Sequence, residues 1–212
     1  MSEVHALKAC FTHRLRHTSK VMRLFVALDI DQAIRNRIAA FSDEMRSLAP
    51  AVRWVGPETF HVTVQFLGET DKLEQIKTAL ATVNAQPTTL TFRGAGFFPN
   101  PQRARVFWVG IESEAGLQDL ANEINKALAP LGFKRDHDEY HPHLTLARVG
   151  SGRPHSRPGD KAAPGLQQVR AKVEAMPQPE FGTMTAHQFI LYQSTLSASG
   201  SRYTNLASYP LQ

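Results

Sequence analysis

Polar and apolar residues alternate in the same order at two places along the chain. Both places read His-apolar-Thr-apolar-x-x-apolar-Gly, and they run from His61 to Gly68 and from His143 to Gly150. An alternation with a period of two is typical of a β-strand, in which successive side chains point to opposite faces. We therefore expect the His and Thr of each copy to face a cleft, and the apolar residues between them to face a core.

The remaining apolar residues predict a mixture of helices and strands. Spacings of three and four positions predict helices over 34–48, 73–83, 117–131 and 166–176. Asp31 is expected to cap the first helix, and Asp71 with Glu74 to cap the second. Compact or alternating apolar runs predict strands over 23–29, 52–55, 60–67, 89–98, 105–111, 140–149, 189–192 and 203–211. Because each His-x-Thr strand lies in its own half, the chain is predicted to be α+β with two pseudo-equivalent lobes.

Two segments lack any such pattern. Residues 1–21 are basic and have no sustained apolar period, so they are predicted to form a disordered extension. Residues 150–164 are rich in Gly, Pro, Arg and Ser, and they are predicted to form a mobile basic loop. The folded domain is expected to span 22–212.

The composition is that of an ordinary globular protein, with 212 residues of which 42% are hydrophobic and 20% charged. The formal net charge of +5 suits an anionic partner and permits nucleic acid. Cys10 is the single cysteine, which excludes an intramolecular disulfide and a cysteine-rich zinc site and favours the reducing cytoplasm. The sequence has neither a run of about 18 apolar residues nor a signal-peptide core, so we expect no association with a membrane.

Two histidines and two threonines in one cleft suit acid-base chemistry on a phosphate. One imidazole can take a proton from an attacking water, while the other gives a proton to the departing oxygen. The hydroxyls of Thr63 and Thr145 can donate hydrogen bonds to the non-bridging oxygens, where negative charge grows. A single motif of this kind is more simply a structural histidine beside a strand-forming threonine, but two matched copies favour catalysis.

A metal site is a rival interpretation of the second motif. His141 and His143 share a strand face, and imidazole is a common ligand of zinc. The local carboxylates that could complete the site are Asp136, Asp138 and Glu139. This ligand set is sparse, and His141 is more simply a support for the edge of the site.

Arg148 and several aromatic and basic residues are further candidates for substrate contacts. Arg148 is three positions after Thr145 and nominally points to the opposite face, so it reaches a phosphate in the cleft if the strand twists or ends there. Otherwise it is a surface arginine. Candidates for stacking on a base are Trp54, Phe60, Phe66, Phe97 and Phe98. Candidates for contacts with an RNA backbone are Arg103, Arg105, Arg153 and Arg157.

The paired motifs resemble those of the 2H phosphoesterase superfamily, which is named for its two His-x-Thr/Ser motifs. The chain looks most like the RNA 2′,3′-cyclic phosphodiesterases, also called 2′-5′ RNA ligases. The similarity runs from Met22 to the C-terminus. It includes 23–28, 53–68, 142–148, Leu191-Tyr192-Gln193-Ser194, Gly200, Tyr203 and Tyr209-Pro210-Leu211.

The resemblance implies a bilobal fold in which two antiparallel sheets line a central cleft and the helices lie outside. It also implies that a monomer, without metal or cofactor, hydrolyses RNA ends bearing a 2′,3′-cyclic phosphate to 2′-phosphate ends, with reversible 2′-5′ ligation in some members. By position, His61 and His143 match the two catalytic histidines, and we assign His143 as the base and His61 as the acid. The positions of Thr63, Thr145 and Arg148 match substrate-binding residues. Two alternatives stay open: a 2H phosphodiesterase on small cyclic nucleotides, and a non-catalytic protein that binds RNA ends.

Overall fold

Strands and helices follow one another along the chain in a mixed order. The computed structural model describes residues 20–134, 141–149, 166–197 and 200–212. The strands are β1 (Met22–Leu28), β2 (Arg53–Trp54), β3 (Val62–Thr70), β4 (Thr88–Phe98), β5 (Val106–Glu112), β6 (His143–Arg148), β7 (Glu180–Ala186), β8 (Gln188–Ser197) and β9 (Gly200–Pro210). The helices are α1 (Gln32–Leu48), α2 (Leu73–Leu80), α3 (Gly116–Leu128) and α4 (Gln167–Ala175), with 3₁₀ turns at Pro57–Thr59, Pro101–Arg103 and Ala129–Leu131.

These strands form two antiparallel sheets, and each sheet contains one His-x-Thr strand. The four-stranded sheet has the order β3-β1-β8-β9, and the five-stranded sheet has the order β2-β6-β5-β4-β7. All neighbouring strands in both sheets run antiparallel. The predicted α+β fold with two antiparallel sheets is therefore confirmed.

The apolar positions of the two motifs lie in the core. Val62 and Leu144 are 0% exposed, and Val64 and Leu146 are 3% and 0% exposed. Burying a large apolar side chain of this kind contributes about 1.5–3 kcal/mol to folding. The alternation of each motif thus fixes which face of the strand is buried, and it leaves the His and Thr on the other face.

The helices pack on the sheets and on one another. Helix α1 contacts β7, α3 contacts both β3 and β4, α2 packs on α3, and α4 packs on α1. In the contact of α1 with the five-stranded sheet, the ring of Phe41 lies 5.2 Å from that of Phe181 and 6.1 Å from that of Phe107. In the described part of the chain, every helix is too short or too polar to cross a membrane.

Strand β7 is a structural element that the sequence pattern does not predict. A β-bulge interrupts its pairing with β4, because Gly182 lies opposite Phe92 and Glu180 lies opposite Arg93, which leaves Phe181 as the extra residue. Its buried apolar residues are therefore spaced by three and then by two positions, and no regular period marks the strand. Gly182 has a φ of 116°, a conformation that a residue with a side chain rarely adopts.

The predicted helix caps are only partly found. Asp31 occupies the N-cap position of α1, but its side chain makes no capping hydrogen bond. In α2 the N-cap position is occupied by Lys72 rather than by Asp71, and the Lys72 side chain makes no capping hydrogen bond. The backbone N–H of Lys72 instead donates to the hydroxyl of Thr70, and α2 ends at Leu80 rather than at 83.

Most of the predicted extension and all of the predicted basic loop lie outside the described residues. In the extension, Lys20 and Val21 are described and both are exposed, and the first strand begins directly after them. The loop predicted over 150–164 falls wholly outside the described ranges.

Candidate active site

The two His-x-Thr strands face one cavity of about 410 Å³, which we call the main cleft. Strand β3 of one sheet and β6 of the other both contribute side chains to its lining. The lining includes all five residues that the sequence predicts for the site: His61, Thr63, His143, Thr145 and Arg148. Residues 82 positions apart therefore meet in one site, where their roles can be argued from geometry.

Each histidine is oriented by the backbone carbonyl two residues before it. The Nδ1 atom of His61 lies 2.6 Å from the carbonyl oxygen of Thr59, and that of His143 lies 2.8 Å from the carbonyl oxygen of His141. A carbonyl oxygen can only accept, so both Nδ1 atoms carry the proton of the neutral ring. Nε2 is then left in each ring as the nitrogen that can exchange a proton with a substrate.

Aromatic side chains surround both imidazoles. His61 lies 5.0 Å from the ring of Phe25 and 5.0 Å from that of Tyr203, with an edge-to-face angle of 85° to the tyrosine. His143 lies 4.9 Å from the ring of Phe98, at an angle of 81°, and 6.4 Å from that of Trp108. These contacts fix the planes of both rings before a substrate enters.

Burial lowers the pKa of both histidines. In each case the loss of hydration is the largest cause, the hydrogen bond to the backbone carbonyl opposes it, and the charge of Arg148 lowers the pKa further. Asp29 raises the pKa of His61, whereas His141 lowers that of His143. Asp29 therefore favours a protonated His61, and the surroundings of His143 favour a neutral ring.

A β-bulge brings Arg148 to the cleft side of β6. In the pairing with β5, Thr145 lies opposite Trp108 and Ala147 lies opposite Phe107, so Leu146 is an extra residue. Leu146 and Ala147 are both buried, and the alternation shifts by one position after them. Arg148 consequently shares the face of Thr145, and its Nη2 donates to the Thr145 hydroxyl at 3.2 Å.

Strand β3 has the same bulge at the same place. Thr63 lies opposite Ala27 and Gln65 opposite Val26, so Val64 is the extra residue, directly after the threonine. Phe66 then occupies the position in β3 that Arg148 occupies in β6, five residues after the histidine. Phe66 is 63% exposed and lines the main cleft.

Two further arginines lie near Arg148. Arg23 of β1 lines the main cleft, and Arg53 of β2 is the residue directly opposite Arg148 in the sheet. Burial is the largest cause that lowers the pKa of Arg148; Tyr203 opposes this effect, and the charges of Arg23 and Arg53 lower the pKa further. Like charges held this close favour the binding of an anion between them.

The structure separates the aromatic candidates for base stacking. Phe60 and Phe97 are 2% and 6% exposed and belong to the core. The indole N–H of Trp54 donates to the carbonyl oxygen of Ala49, and Phe98 packs on His143. Of the five candidates, Phe66 is the one whose ring is exposed in the main cleft.

Other predicted contacts lie away from the cleft or outside the described residues. Neither Arg103 nor Arg105 lines the main cleft, and Arg153 and Arg157 lie outside the described ranges. His141 is exposed and contributes its backbone oxygen to His143. Among the described residues, no three His, Cys, Asp or Glu side chains come together in a group that could hold a metal ion. The carboxylates named with the metal interpretation, Asp136, Asp138 and Glu139, are not among these residues.

The 3₁₀ turn before His61 is tied to helix α1. The guanidinium of Arg35 donates to the carbonyl oxygens of Pro57 and Phe60, and it forms an ion pair with Asp29 at 2.6 Å. The Arg35 side chain is only 13% exposed. It therefore holds the turn whose Thr59 carbonyl orients His61.

Arg23 and Tyr203 line the cleft, but the sequence pattern does not mark them as site residues. They belong to β1 and β9, which reach the cleft because β1 pairs with both β3 and β8, and β8 pairs with β9. Residues brought together by such long-range pairing carry no common spacing in the sequence.

Two sheets that each bring a His-x-Thr strand to one arginine-lined cleft define a two-histidine phosphoesterase fold. The family model of the 2′-5′ RNA ligase superfamily matches residues 30–180, and the chain belongs to this superfamily. The chain is 37% identical over 187 residues to an RNA 2′,3′-cyclic phosphodiesterase of Archaeoglobus fulgidus, covering 87% of this chain and 98% of that protein. It is 30% identical over 198 residues to the protein of the same name from Escherichia coli K12, covering 91% and 98%.

Solved structures show the same fold. The crystal structure of E. coli LigT complexed with 3′-AMP matches with a TM-score of 0.70 and 26% identity, over 91% of this chain and 99% of that one. The crystal structure of TT0787 of Thermus thermophilus matches with a TM-score of 0.71 and 25% identity, over 90% and 98%.

Proposed function

We propose that this protein hydrolyses RNA ends bearing a 2′,3′-cyclic phosphate to 2′-phosphate ends, with His61 and His143 as acid-base catalysts and without a metal. The observation that carries the proposal is the matched orientation of the two imidazoles in one cleft. Both Nδ1 atoms lie against backbone carbonyls, which leaves both Nε2 atoms to transfer protons. The names of the relatives support the choice of substrate.

In the proposed reaction, His143 takes a proton from a water molecule, and the water oxygen attacks phosphorus. The bond from phosphorus to the 3′ oxygen breaks, and His61 gives a proton to that oxygen. The products are a 2′-phosphate and a free 3′-hydroxyl. The influence of Asp29 on His61 supports this division, since a carboxylate favours the protonated imidazole that an acid requires.

The other predicted residues bind the phosphate as negative charge grows on it. Thr63 and Thr145 donate hydrogen bonds from their hydroxyls to the non-bridging oxygens, and Arg148 contributes a positive charge. Binding an anionic phosphate also opposes the lowering of the histidine pKa values, which favours the protonated form of the acid. Phe66 offers an exposed ring on which the terminal base can stack.

We propose that the same site can also act as a 2′-5′ ligase. A ribose 5′-hydroxyl replaces water as the nucleophile on the cyclic phosphate, and the 3′ oxygen again leaves. One chain supplies both motifs of the cleft, so we propose that the protein acts as a monomer. We also propose that it acts in the cytoplasm, where a chain with one cysteine needs no disulfide.

An assay with purified protein and an oligonucleotide ending in a 2′,3′-cyclic phosphate tests the proposal. We expect turnover to continue in excess EDTA and the product to carry its phosphate on the 2′ oxygen. His61→Asn and His143→Asn keep a side-chain N–H close to the carbonyl but remove the proton-transferring nitrogen, and each is expected to lower turnover by roughly 10² to 10⁴. Turnover that stops in EDTA, or a 3′-phosphate product, would contradict the mechanism. Turnover of small cyclic nucleotides alone would replace RNA as the substrate.

A further inference from the structure

A second pocket adjoins the main cleft at His61. This side pocket has a volume of about 390 Å³, within the range of small-molecule sites. Thr59, His61, Ser201 and Tyr203 line both cavities, so the two adjoin along these four residues. A substrate whose phosphate lies beside His61 can therefore extend from one cavity into the other.

The two cavities differ in charge. Among the described residues that line the main cleft, the charged side chains apart from the histidines are Arg23 and Arg148, and none is a carboxylate. The side pocket instead has two carboxylates and two guanidinium groups, from Asp29, Glu58, Arg35 and Arg202. Its formal charges cancel, so the main cleft suits a phosphate and the side pocket suits an uncharged group.

One of the two guanidinium groups of the side pocket, that of Arg35, is already engaged. Arg35 pairs with Asp29 at 2.6 Å and donates to the carbonyl oxygens of Pro57 and Phe60. Its side chain is 13% exposed, whereas that of Asp29 is 54% exposed. A ligand therefore meets the remaining lone pairs of Asp29 more readily than the guanidinium, which favours a ligand with hydrogen-bond donors.

The side pocket offers both donors and acceptors to such a ligand. Burial, and then the charge of Asp29, raises the pKa of Tyr192 to about 12, so its phenol remains a donor at neutral pH. The hydroxyl of Ser201 can donate or accept, whereas that of Ser197 already donates to the carbonyl oxygen of Gly200 at 2.8 Å. Asp29 and Glu58 accept. Ribose hydroxyls and the polar edges of bases combine donors and acceptors in the same way, without net charge.

We propose that the side pocket is a second subsite that binds an uncharged nucleoside unit while the cyclic phosphate lies in the main cleft. This inference rests on the proposed function. Two nucleosides have the required chemistry: the one that precedes the cyclic phosphate end in the same strand, and the 5′-hydroxyl end of a second strand that enters for ligation. The subsite is the same for both, and the substrates in the test distinguish them.

The test compares adenosine 2′,3′-cyclic phosphate, which has one nucleoside, with the dinucleotide ApA ending in a 2′,3′-cyclic phosphate. The measured quantity is the ratio of their kcat/KM values. Glu58→Gln and Tyr192→Phe each remove one feature of the side pocket. The control for Glu58→Gln is Glu112→Gln, which changes an exposed carboxylate at the end of β5. The control for Tyr192→Phe is Tyr209→Phe. The ring of Tyr209 stacks on that of Phe189 at 5.0 Å, as the ring of Tyr192 stacks on that of Phe25 at 5.3 Å.

If the preceding nucleoside binds in the side pocket, the ratio falls about three- to tenfold in both test variants relative to the controls, because Tyr192→Phe removes a hydrogen-bond donor and Glu58→Gln replaces a charged acceptor with a weaker neutral one. If an incoming strand binds there, the ratio stays constant. In that case the yield of 2′-5′-linked product from adenosine 2′,3′-cyclic phosphate and added adenosine falls by a similar factor.

Two outcomes would overturn the inference in distinguishable ways. In the first outcome, the wild type turns over both substrates, and both test variants have the same kcat/KM ratio and ligation yield as the control variants. This result overturns the side-pocket subsite alone. A wild-type protein that turns over neither substrate overturns the proposed function, and the inference with it.

Discussion

The burial of two neutral histidines predicts a loss of stability in mild acid. The pKa of both His61 and His143 is lowered from an ordinary value of 6.5. The unfolded chain therefore takes up protons at a pH where the folded protein does not. A group with a lowered pKa in the folded state contributes stability above its unfolded pKa, and this contribution is lost as the pH falls below 6.5.

The size of the effect follows from the number of protons. Between pH 7.5 and 5.5, a histidine that stays neutral in the folded state and titrates at 6.5 in the unfolded state costs about 1.4 kcal/mol of unfolding free energy. Both histidines together then cost up to about 2.7 kcal/mol, the limit reached when neither is protonated in the fold. The free energy of unfolding of a single domain is typically about 5–15 kcal/mol, so this loss is about a fifth to a half of the total stability.

Urea unfolding followed by tryptophan fluorescence at pH 7.5 and 5.5 measures this difference. The double variant His61→Asn/His143→Asn cannot take up these protons, so it should lose less stability than the wild type by up to about 2.7 kcal/mol. His187→Asn, which removes an exposed histidine between β7 and β8, is the control and should behave as the wild type does. The reasoning is refuted if the double variant loses as much stability as the wild type.

Three further predictions concern catalysis and binding. His61→Ala and His143→Ala should each lower turnover by roughly 10² to 10⁴. The double variant should lose much less turnover than the product of the two single losses, because both histidines act in one proton-transfer cycle. Full activity in either folded single variant contradicts this. A protein beginning at Met22 should keep nearly the same melting temperature and cyclic-phosphate turnover, since the preceding segment has no apolar period; a markedly lower melting temperature would show that this segment packs. The Michaelis constant for an oligonucleotide should rise with salt, because arginines bind the phosphates, and an unchanged constant from low to high ionic strength would argue against such contacts.

The alternation of the motifs was sufficient to predict the parts of the site that depend on local geometry. His61 and Thr63 share one face of their strand because a period of two requires it, and so do His143 and Thr145. The family resemblance then predicted that both pairs would meet. Long-range pairing is what the pattern lacks. Nothing in the spacing along the chain indicates that β1 lies between β3 and β8, which brings Arg23 into the cleft.

Bulges explain the other differences between the sequence and the structure. Strand β7 was not predicted because the extra residue Phe181 breaks its period. The same kind of irregularity decides the position of Arg148, which a regular alternation places on the wrong face. A bulge inserts one residue without changing the residue types around it, so composition and hydrophobic pattern do not indicate where it occurs.

The bulge in β6 also makes the site sensitive to the number of residues in this strand. Removing Leu146 would restore a regular alternation, because Thr145, Ala147 and Arg148 would still lie opposite Trp108, Phe107 and Val106. Ala147 would stay in the core and Arg148 would keep the cleft face. Inserting one residue between Ala147 and Arg148 would instead turn the guanidinium of Arg148 toward the apolar interior, where an unpaired charge is costly. A single-codon deletion at the bulge should therefore keep the cation of the site, whereas a single-codon insertion after it should remove that cation although every one of its side chains remained encoded.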